Sequence, residues 1–242
     1  RSAAEPPEVP ARLKIPVDRP WFFFAFDYLS TVERKNPLGL IEAFDRAFPQ
    51  DDGAGPVLVI KTLNADRRVG DAERLRLAAS RRRGVILIDE YLESGELTAL
   101  MARCTAYVSL HRAEGLGLTI AEAMAWGRPV VVSEYSGNLQ FTNSENAFLV
   151  PCALATIPDD AEPYPAGTLW GDPDLDEAAS ILRGIVADPA AASAQQDRLL
   201  ARYQPEGGFR PLDPADPLYR GAMAQLAAVK LTIIRWRAKF KL

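Results

Sequence analysis

Histidine is all but absent from the chain: among 242 residues it occurs once, as His111. Cysteine is nearly as scarce, present only as Cys104 and Cys152, and no CxxC pair occurs. One imidazole and two separated thiols exclude an ordinary tetrahedral zinc site and a disulfide framework. A reducing, cytoplasmic compartment is the default that such cysteine usage implies. Long apolar runs are lacking as well. The densest, Trp21–Phe26, falls far short of the ~20 residues that span a bilayer and suits a buried strand. Positive charge is not in surplus: 28 Lys and Arg against 32 Asp and Glu leave a net charge of -4, which argues against a general nucleic-acid binder. No internal repeat is present. The first residue is Arg1, with neither Met nor a signal-peptide pattern, so the expectation is a piece of a longer protein.

What is present is enough apolar content, 48%, for one large domain or a domain with appendages. Residues 1–20 carry Pro6, Pro7, Pro10, Pro16 and Pro20, which preclude regular helix and sheet and predict a linker or extended arm. Strand-like and helix-like segments then alternate. Trp21–Phe26, Val57–Ile60, Val85–Ile88, Ala106–Leu110 and Val130–Ser133 read as short apolar strands. Asn36-Pro37 reads as a helix start, with Asn as N-cap and Pro in the first turn, and Leu40, Ile41, Phe44 and Phe48 follow at helical spacing. Asp71–Arg82, Gly95–Arg103 and Thr119–Trp126 read as further helices, the last closed by Gly127. The expected fold class is therefore α/β, a Rossmann-like parallel sheet with helices on both faces. Residues 151–170 read as irregular. Leu175–Ala187 and Ala191–Tyr203 read as helices, Pro205–Pro217 as a proline-rich connector, and Tyr219–Leu242 as a final helix with Leu226, Val229, Ile233, Trp236 and Phe240 on one stripe.

Ligands of such sheets gather beyond the carboxyl ends of the strands, and the chemistry-bearing residues cluster there. Glu114 follows the strand ending near Leu110. Gly115 and Gly117 permit close backbone approach, and the helix opening near Thr119 offers free N–H groups and a positive dipole end to a phosphate. Glu122 has two readings: a ligand-facing carboxylate, or the partner of Thr119 in a capping box. Lys35, beside Arg34, precedes the Asn36-Pro37 helix and suits phosphate oxygens; a solvated basic pair is the alternative. His111 lies between strand and Glu114, either touching ligand or packing. The last helix carries Lys230, Arg235, Arg237, Lys239 and Lys241 beside its apolar stripe. Packing against its own protein is the commoner use of such a helix; a peripheral contact with the inner face of a membrane stays open.

Taken together, Glu114-Gly-Leu-Gly-Leu-Thr-Ile-Ala-Glu122-Ala-Met-Ala-Trp-Gly127-Arg-Pro129-Val130 resembles the signature of the retaining GT-B glycosyltransferases of family 4, or group 1. That signature is a Glu, seven residues, a second Glu, then Ala-Met-Ala-x-Gly-x-Pro-Val. Glu33-Arg-Lys35-Asn-Pro37-Leu-Gly-Leu-Ile41-Glu-Ala-Phe44 resembles the family's first strand, loop and helix. The resemblance covers about residues 21–151 well and extends loosely to about 203. It implies that Glu114, the catalytic candidate, lies against the transferred sugar and that Glu122 binds ribose hydroxyls. It implies that the amides of Gly117, Leu118 and Thr119 meet the diphosphate, with Lys35 opposite, and that the loop around Glu90, Tyr91 and Leu92 frames the base. Two departures stand out. Leu116 replaces the family's common Phe, and Asp27 and Tyr28 occupy the zone where many members carry an Arg, leaving Arg34 to substitute.

The resemblance further implies a nucleotide-sugar substrate, UDP- or GDP-linked, with no cofactor and no obligatory metal. It implies an organisation in which 1–20 is a linker from a missing N-terminal acceptor domain, 21–203 is the donor-binding domain, and 204–242 is a connector and helix. Another GT-B chemistry, such as an epimerase or phosphorylase, or a non-catalytic scaffold of the same fold, are the alternatives to a glycosyltransferase half that is inactive alone.

Overall fold

Strand β1, Trp21–Asp27, lies in the middle of a six-stranded parallel sheet, and its phenylalanines are sealed from solvent on both faces. A central strand covered on both sides has no polar face, which is why its sequence shows an apolar run without alternation. The other strands are β2 (Val57–Leu63), β3 (Val85–Ile88), β4 (Ala106–Ser109), β5 (Val130–Ser133) and β6 (Phe148–Val150). Their order is β3-β2-β1-β4-β5-β6, and every neighbouring pair is parallel. This is the doubly wound order in which β1 and β4 lie side by side while their connections leave in opposite directions, opening a crevice at their carboxyl ends.

A computed structural model describes residues 6–50, 53–159, 161 and 163–194, all within a compact unit spanning Glu5–Gly207. The connector expected at Pro205–Pro217 and the helix expected at Tyr219–Leu242 lie outside the described residues, as does the end of the one expected at Ala191–Tyr203. The helices are α1 (Val32–Lys35), α2 (Pro37–Ala47), α3 (Val69–Ser80), α4 (Ser94–Arg103), α5 (Leu118–Ala125) and α6 (Leu175–Ala187). Helix α2 starts as its sequence suggests. The Asn36 side chain accepts a hydrogen bond from the Gly39 amide at 3.2 Å and Pro37 occupies the first turn. Its apolar stripe brings Phe44 against Phe22 and Phe48, with ring centroids 6.3 and 5.2 Å away.

Three features depart from the sequence-based expectation, and a fourth goes beyond it. One turn of helix, α1, precedes α2. Strand β6 is only three residues long, too short to register as a period. The stretch expected to be irregular contains an antiparallel hairpin, β7 (Cys152–Thr156) with β8 (Leu169–Pro173). Its prolines are confined to the ends and the connection, where no ladder hydrogen bond is needed. Lastly, residues 6–20 are an arm fastened to the domain. Leu13 and Ile15 are buried in the main core, the Arg103 guanidinium donates to the carbonyls of Pro7 and Pro6 at 2.6 and 2.7 Å, and Arg12 pairs with Glu90 and Glu96 at 2.5 and 2.6 Å.

Candidate functional site

The crevice between β1 and β4 is walled by three loops. The first runs from β1 through α1 and carries Arg34 and Lys35. The second runs from β4 to α5 and carries His111, Arg112, Glu114, Gly115 and Gly117. The third follows β5 and carries Ser136 and Gly137. Although 79 residues apart in sequence, Lys35 and Glu114 meet here, with Nζ 2.5 Å from Oε2. Arg34 Nη1 stands 3.5 Å from the other carboxylate oxygen. Arg34 is not a solvated surface charge: it is 9% exposed and donates to the carbonyls of Ser30 and Ala113 at 3.0 and 2.8 Å. Tyr28 is fully buried and Asp27 accepts from the Leu29 amide, so Arg34 is the second cation at this place.

Burial alone would raise the Glu114 carboxyl, but Lys35 and Arg34 outweigh it and hold the group below its ordinary range. Burial lowers the Lys35 ammonium, and its pairing with Glu114 only partly restores it, with Arg34 opposing. The asymmetry follows from the surroundings: Lys35 and Arg34 together overcome burial at Glu114, whereas at Lys35 the carboxylates of Glu114 and, more weakly, Asp27 do not overcome burial with Arg34 acting beside it. The close contact sets each charge against the other.

The backbone of Glu114 is held as firmly as its side chain. Its amide donates to Ser136 Oγ at 2.7 Å, and its carbonyl accepts from the Gly137 amide at 3.0 Å. Ser136 sits at φ 72, a conformation that costs a non-glycine residue energy and persists only where its surroundings enforce it. Gly137 is needed for space, because a Cβ there would lie 2.0 Å from the Gly115 carbonyl oxygen. A Cβ on Gly115 would meet open space, whereas Gly117 requires its φ of +85. Neither Ser136 nor Gly137 emerges from the sequence reading, although a Ser-Gly pair just past a parallel strand is a signal that strand polarity makes meaningful.

Helix α5 begins one residue earlier than its sequence suggests, because Gly117, in the left-handed conformation, is its N-cap. Thr119 therefore occupies the second helical position, and its hydroxyl accepts from the Tyr107 hydroxyl at 2.8 Å. The capping box expected between Thr119 and Glu122 does not form. Among the described residues, no acceptor meets the amides of Leu118 and Thr119. Glu122, one turn further on, is half-buried, and burial, with no charged partner, raises its carboxyl. A carboxylate that is partly desolvated and unpaired disfavours the fold at neutral pH. Glu122→Gln should therefore raise the thermal unfolding midpoint at pH 7, and the advantage should vanish as pH falls below the ordinary 4.5. A helix-capping role would give the opposite sign, so differential scanning fluorimetry across pH separates the two.

The remaining expected site residues divide. Leu118 and Tyr91 are exposed, at 64% and 74%. Leu92 turns into the core, so of the pair expected to frame the base only Tyr91 presents an open face. His111 is fully buried and both ring nitrogens are engaged by protein groups; it lies beneath the crevice wall. Arg112, absent from the sequence-based candidates, ties the loops together. Its guanidinium donates to Asp172 at 2.8 Å and to the Glu33 carbonyl at 2.9 Å, and lies 5.5 Å from the Trp170 ring centroid.

The chain belongs to the group 1 glycosyltransferases. The family model described as "Glycosyl transferases group 1" matches residues 28–157, just over half of its length and all of the crevice residues named above. Its Rossmann-like sheet is that of the GT-B glycosyltransferases. Sucrose-phosphate synthase from Thermosynechococcus elongatus superposes with a TM-score of 0.57 at 22% identity, over 92% of this chain and 48% of that one. HepE from Anabaena, solved in complex with UDP and glucose, gives 0.58 at 18% identity, over 90% and 51%. The C-terminal domain of the group 1 family protein LpcC from Francisella tularensis gives 0.57 at 17% identity, over 79% and 89%. The chain thus spans about half the length of the first two and nearly all of the third. No curated protein matches the chain in sequence.

Proposed function

We propose that this chain is the donor-binding half of a retaining, metal-independent glycosyltransferase that takes a nucleotide-diphosphate sugar. One observation carries the reading: in a member of this family, the crevice between β1 and β4 unites a buried Lys–Glu–Arg cluster with the acceptor-free amides that open α5. Those amides and the dipole of α5 suit the oxygens of a diphosphate. Lys35, with Arg34 behind it, neutralises charge as the diphosphate leaves. Glu122 offers a free carboxylate to ribose hydroxyls, and Tyr91 an exposed ring to the base. HepE, which shares the fold, was solved with UDP and glucose, and that supports the ligand class.

The ligand-free ion pair adds a step. A diphosphate competes with Glu114 for the Lys35 ammonium, and a carboxylate freed in that exchange accepts hydrogen bonds from the sugar's hydroxyls. Donor arrival thus switches Glu114 from holding lysine to holding sugar. Glu114→Gln should accordingly tighten binding of a bare nucleoside diphosphate on the order of three- to tenfold, because a competing anion is gone. It should weaken the preference for the nucleotide-sugar over that nucleoside diphosphate. Competition titrations with UDP and UDP-glucose, or their GDP equivalents, measure both.

The acceptor belongs, in this reading, to a second domain that covers the crevice. Exposed Leu29, Leu63, Tyr91, Leu118 and Leu139 lie at the carboxyl ends of the strands or in the segments that follow them, and an apolar fringe around a charged crevice suits a docked domain. Transfer then requires that domain, and this half alone binds without transferring. No helix among the described residues is long and apolar enough to cross a membrane; a cytoplasmic enzyme is the setting we propose. Isothermal titration with UDP, GDP, ADP and their glucose and mannose conjugates tests the reading. Saturable binding of at least one nucleoside diphosphate is expected; a folded protein that binds none of them overturns it.

A further inference from the structure

His111 has a surrounding that packing alone does not require. The ring is fully buried at the end of β4. Its Nε2 lies 3.0 Å from Asn138 Oδ1 and 3.3 Å from the Tyr135 carbonyl oxygen. The orientation of Asn138 is set independently, since its Nδ2 donates to the Ser133 carbonyl at 3.0 Å. Both neighbours of Nε2 are therefore acceptors, and Nε2 must carry the proton. In the neutral ring, which burial favours, Nδ1, 3.0 Å from Ser109 Oγ, accepts from that hydroxyl. The outcome is one tautomer of a neutral imidazole.

The two acceptors flank the residues that hold Glu114. Tyr135 precedes Ser136, which accepts from the Glu114 amide. Asn138 follows Gly137, which donates to the Glu114 carbonyl. The ring thus grips both ends of a two-residue tip, and the tip grips Glu114, three residues further along the chain from His111. The strained backbone of Ser136 gives this grip a physical purpose, because a φ of 72 relaxes unless both flanks are fixed.

We propose that His111 is a positioning residue: as the neutral, Nε2-protonated ring it locks the Tyr135–Asn138 loop and thereby fixes the place of Glu114 in the crevice. The inference rests on the donor-site reading for its functional consequence, but the locking itself is independent of any ligand. Burial favours the neutral ring over the imidazolium, outweighing the opposing pull of the Glu114 carboxylate and the hydrogen bonds to Asn138 and Tyr135, and Lys35 acts in the same direction as burial.

Because the chain has a single histidine, its ring nitrogens are observable by 15N NMR without assignment. The wild-type protein should show a neutral ring protonated on Nε2 at pH 7; an imidazolium or an Nδ1-protonated ring overturns the proposal, whatever any variant does. Amide hydrogen exchange supplies the second readout. In His111→Ala, protection at Glu114 and Gly137 should fall at least about tenfold relative to Val108 and Val131 of the sheet. In His111→Gln, whose side-chain amide can still donate to the two acceptors, it should be largely restored. Unchanged protection in His111→Ala, or an equal loss at all four amides that His111→Gln does not rescue, overturns it. Affinity for whichever of UDP, GDP and ADP the wild-type protein binds should follow protection at Glu114 across the three proteins. Absence of binding of all three by wild-type protein would instead count against the donor-site reading and leave the exchange result to decide the locking.

Discussion

Lys35→Ala is expected to weaken binding of a nucleoside diphosphate about 10- to 100-fold and to leave binding of the corresponding nucleoside unchanged. The magnitude is that of one charge-assisted hydrogen bond in a partly buried place, roughly 1.5–3 kcal/mol. Its location supports the upper part of that range. The lysine side chain is 14% exposed, so salt and water screen it less than a surface lysine. One effect opposes the loss: removing Lys35 also removes the partner that the diphosphate must displace from Glu114. Among the described residues Arg34 then remains the cation paired with that carboxylate, held by two backbone carbonyls. Titrations of Lys35→Ala with UDP and with uridine, or the guanosine pair, decide the matter. Equal losses for nucleotide and nucleoside would contradict a phosphate role for this residue.

Gly137→Ala should be the most damaging single methyl group in the crevice. A Cβ at this position would lie 2.0 Å from the Gly115 carbonyl oxygen and 2.8 Å from that of Glu114. Both obstacles are backbone, so no side chain can swing aside. The loop must retreat, and its retreat breaks the two hydrogen bonds that hold Glu114. Overpacking of this kind costs about 1–3 kcal/mol, and each lost hydrogen bond roughly 1 kcal/mol more. A loss of about 3 kcal/mol or more by chemical denaturation is expected, with nucleotide-sugar binding reduced even at temperatures where the variant is folded. Gly115→Ala, whose Cβ would meet open space, is the matched control and should change stability little. Similar stabilities for the two variants would show that the loops are free to part.

Local signals proved readable and long-range ones did not. Asn36-Pro37 could be read as a helix start because capping is decided within four residues. The alternation of apolar and helical segments gave the parallel sheet because each strand is buried by its own composition. The cap of α5 is Gly117, two residues before the Thr119 of the expected capping box, and nothing local tells which of the two caps the helix. That displacement separates a capped glutamate from an unpaired one, and so it carries most of the argument for Glu122. The burial of Arg34, the grip of Arg112 on the β7–β8 hairpin and the fit of Gly137 against Gly115 all arise from loops brought together by the sheet. Such pairings leave no period in the sequence. His111 was legible as a residue near the crevice but not as a buried one, because its partners Tyr135 and Asn138 lie on a different loop.

The central claim is that a nucleoside diphosphate sits on the opening of α5 between Lys35 and Glu122. Backbone amide NMR of the protein titrated with UDP or GDP measures this most directly. The largest shifts should fall on Leu118 and Thr119, with smaller ones at Lys35, Glu114 and Tyr91. Saturable binding with shifts confined elsewhere, for example to the cleft lined by Glu33, Glu42, Arg74 and Asp172, would contradict it.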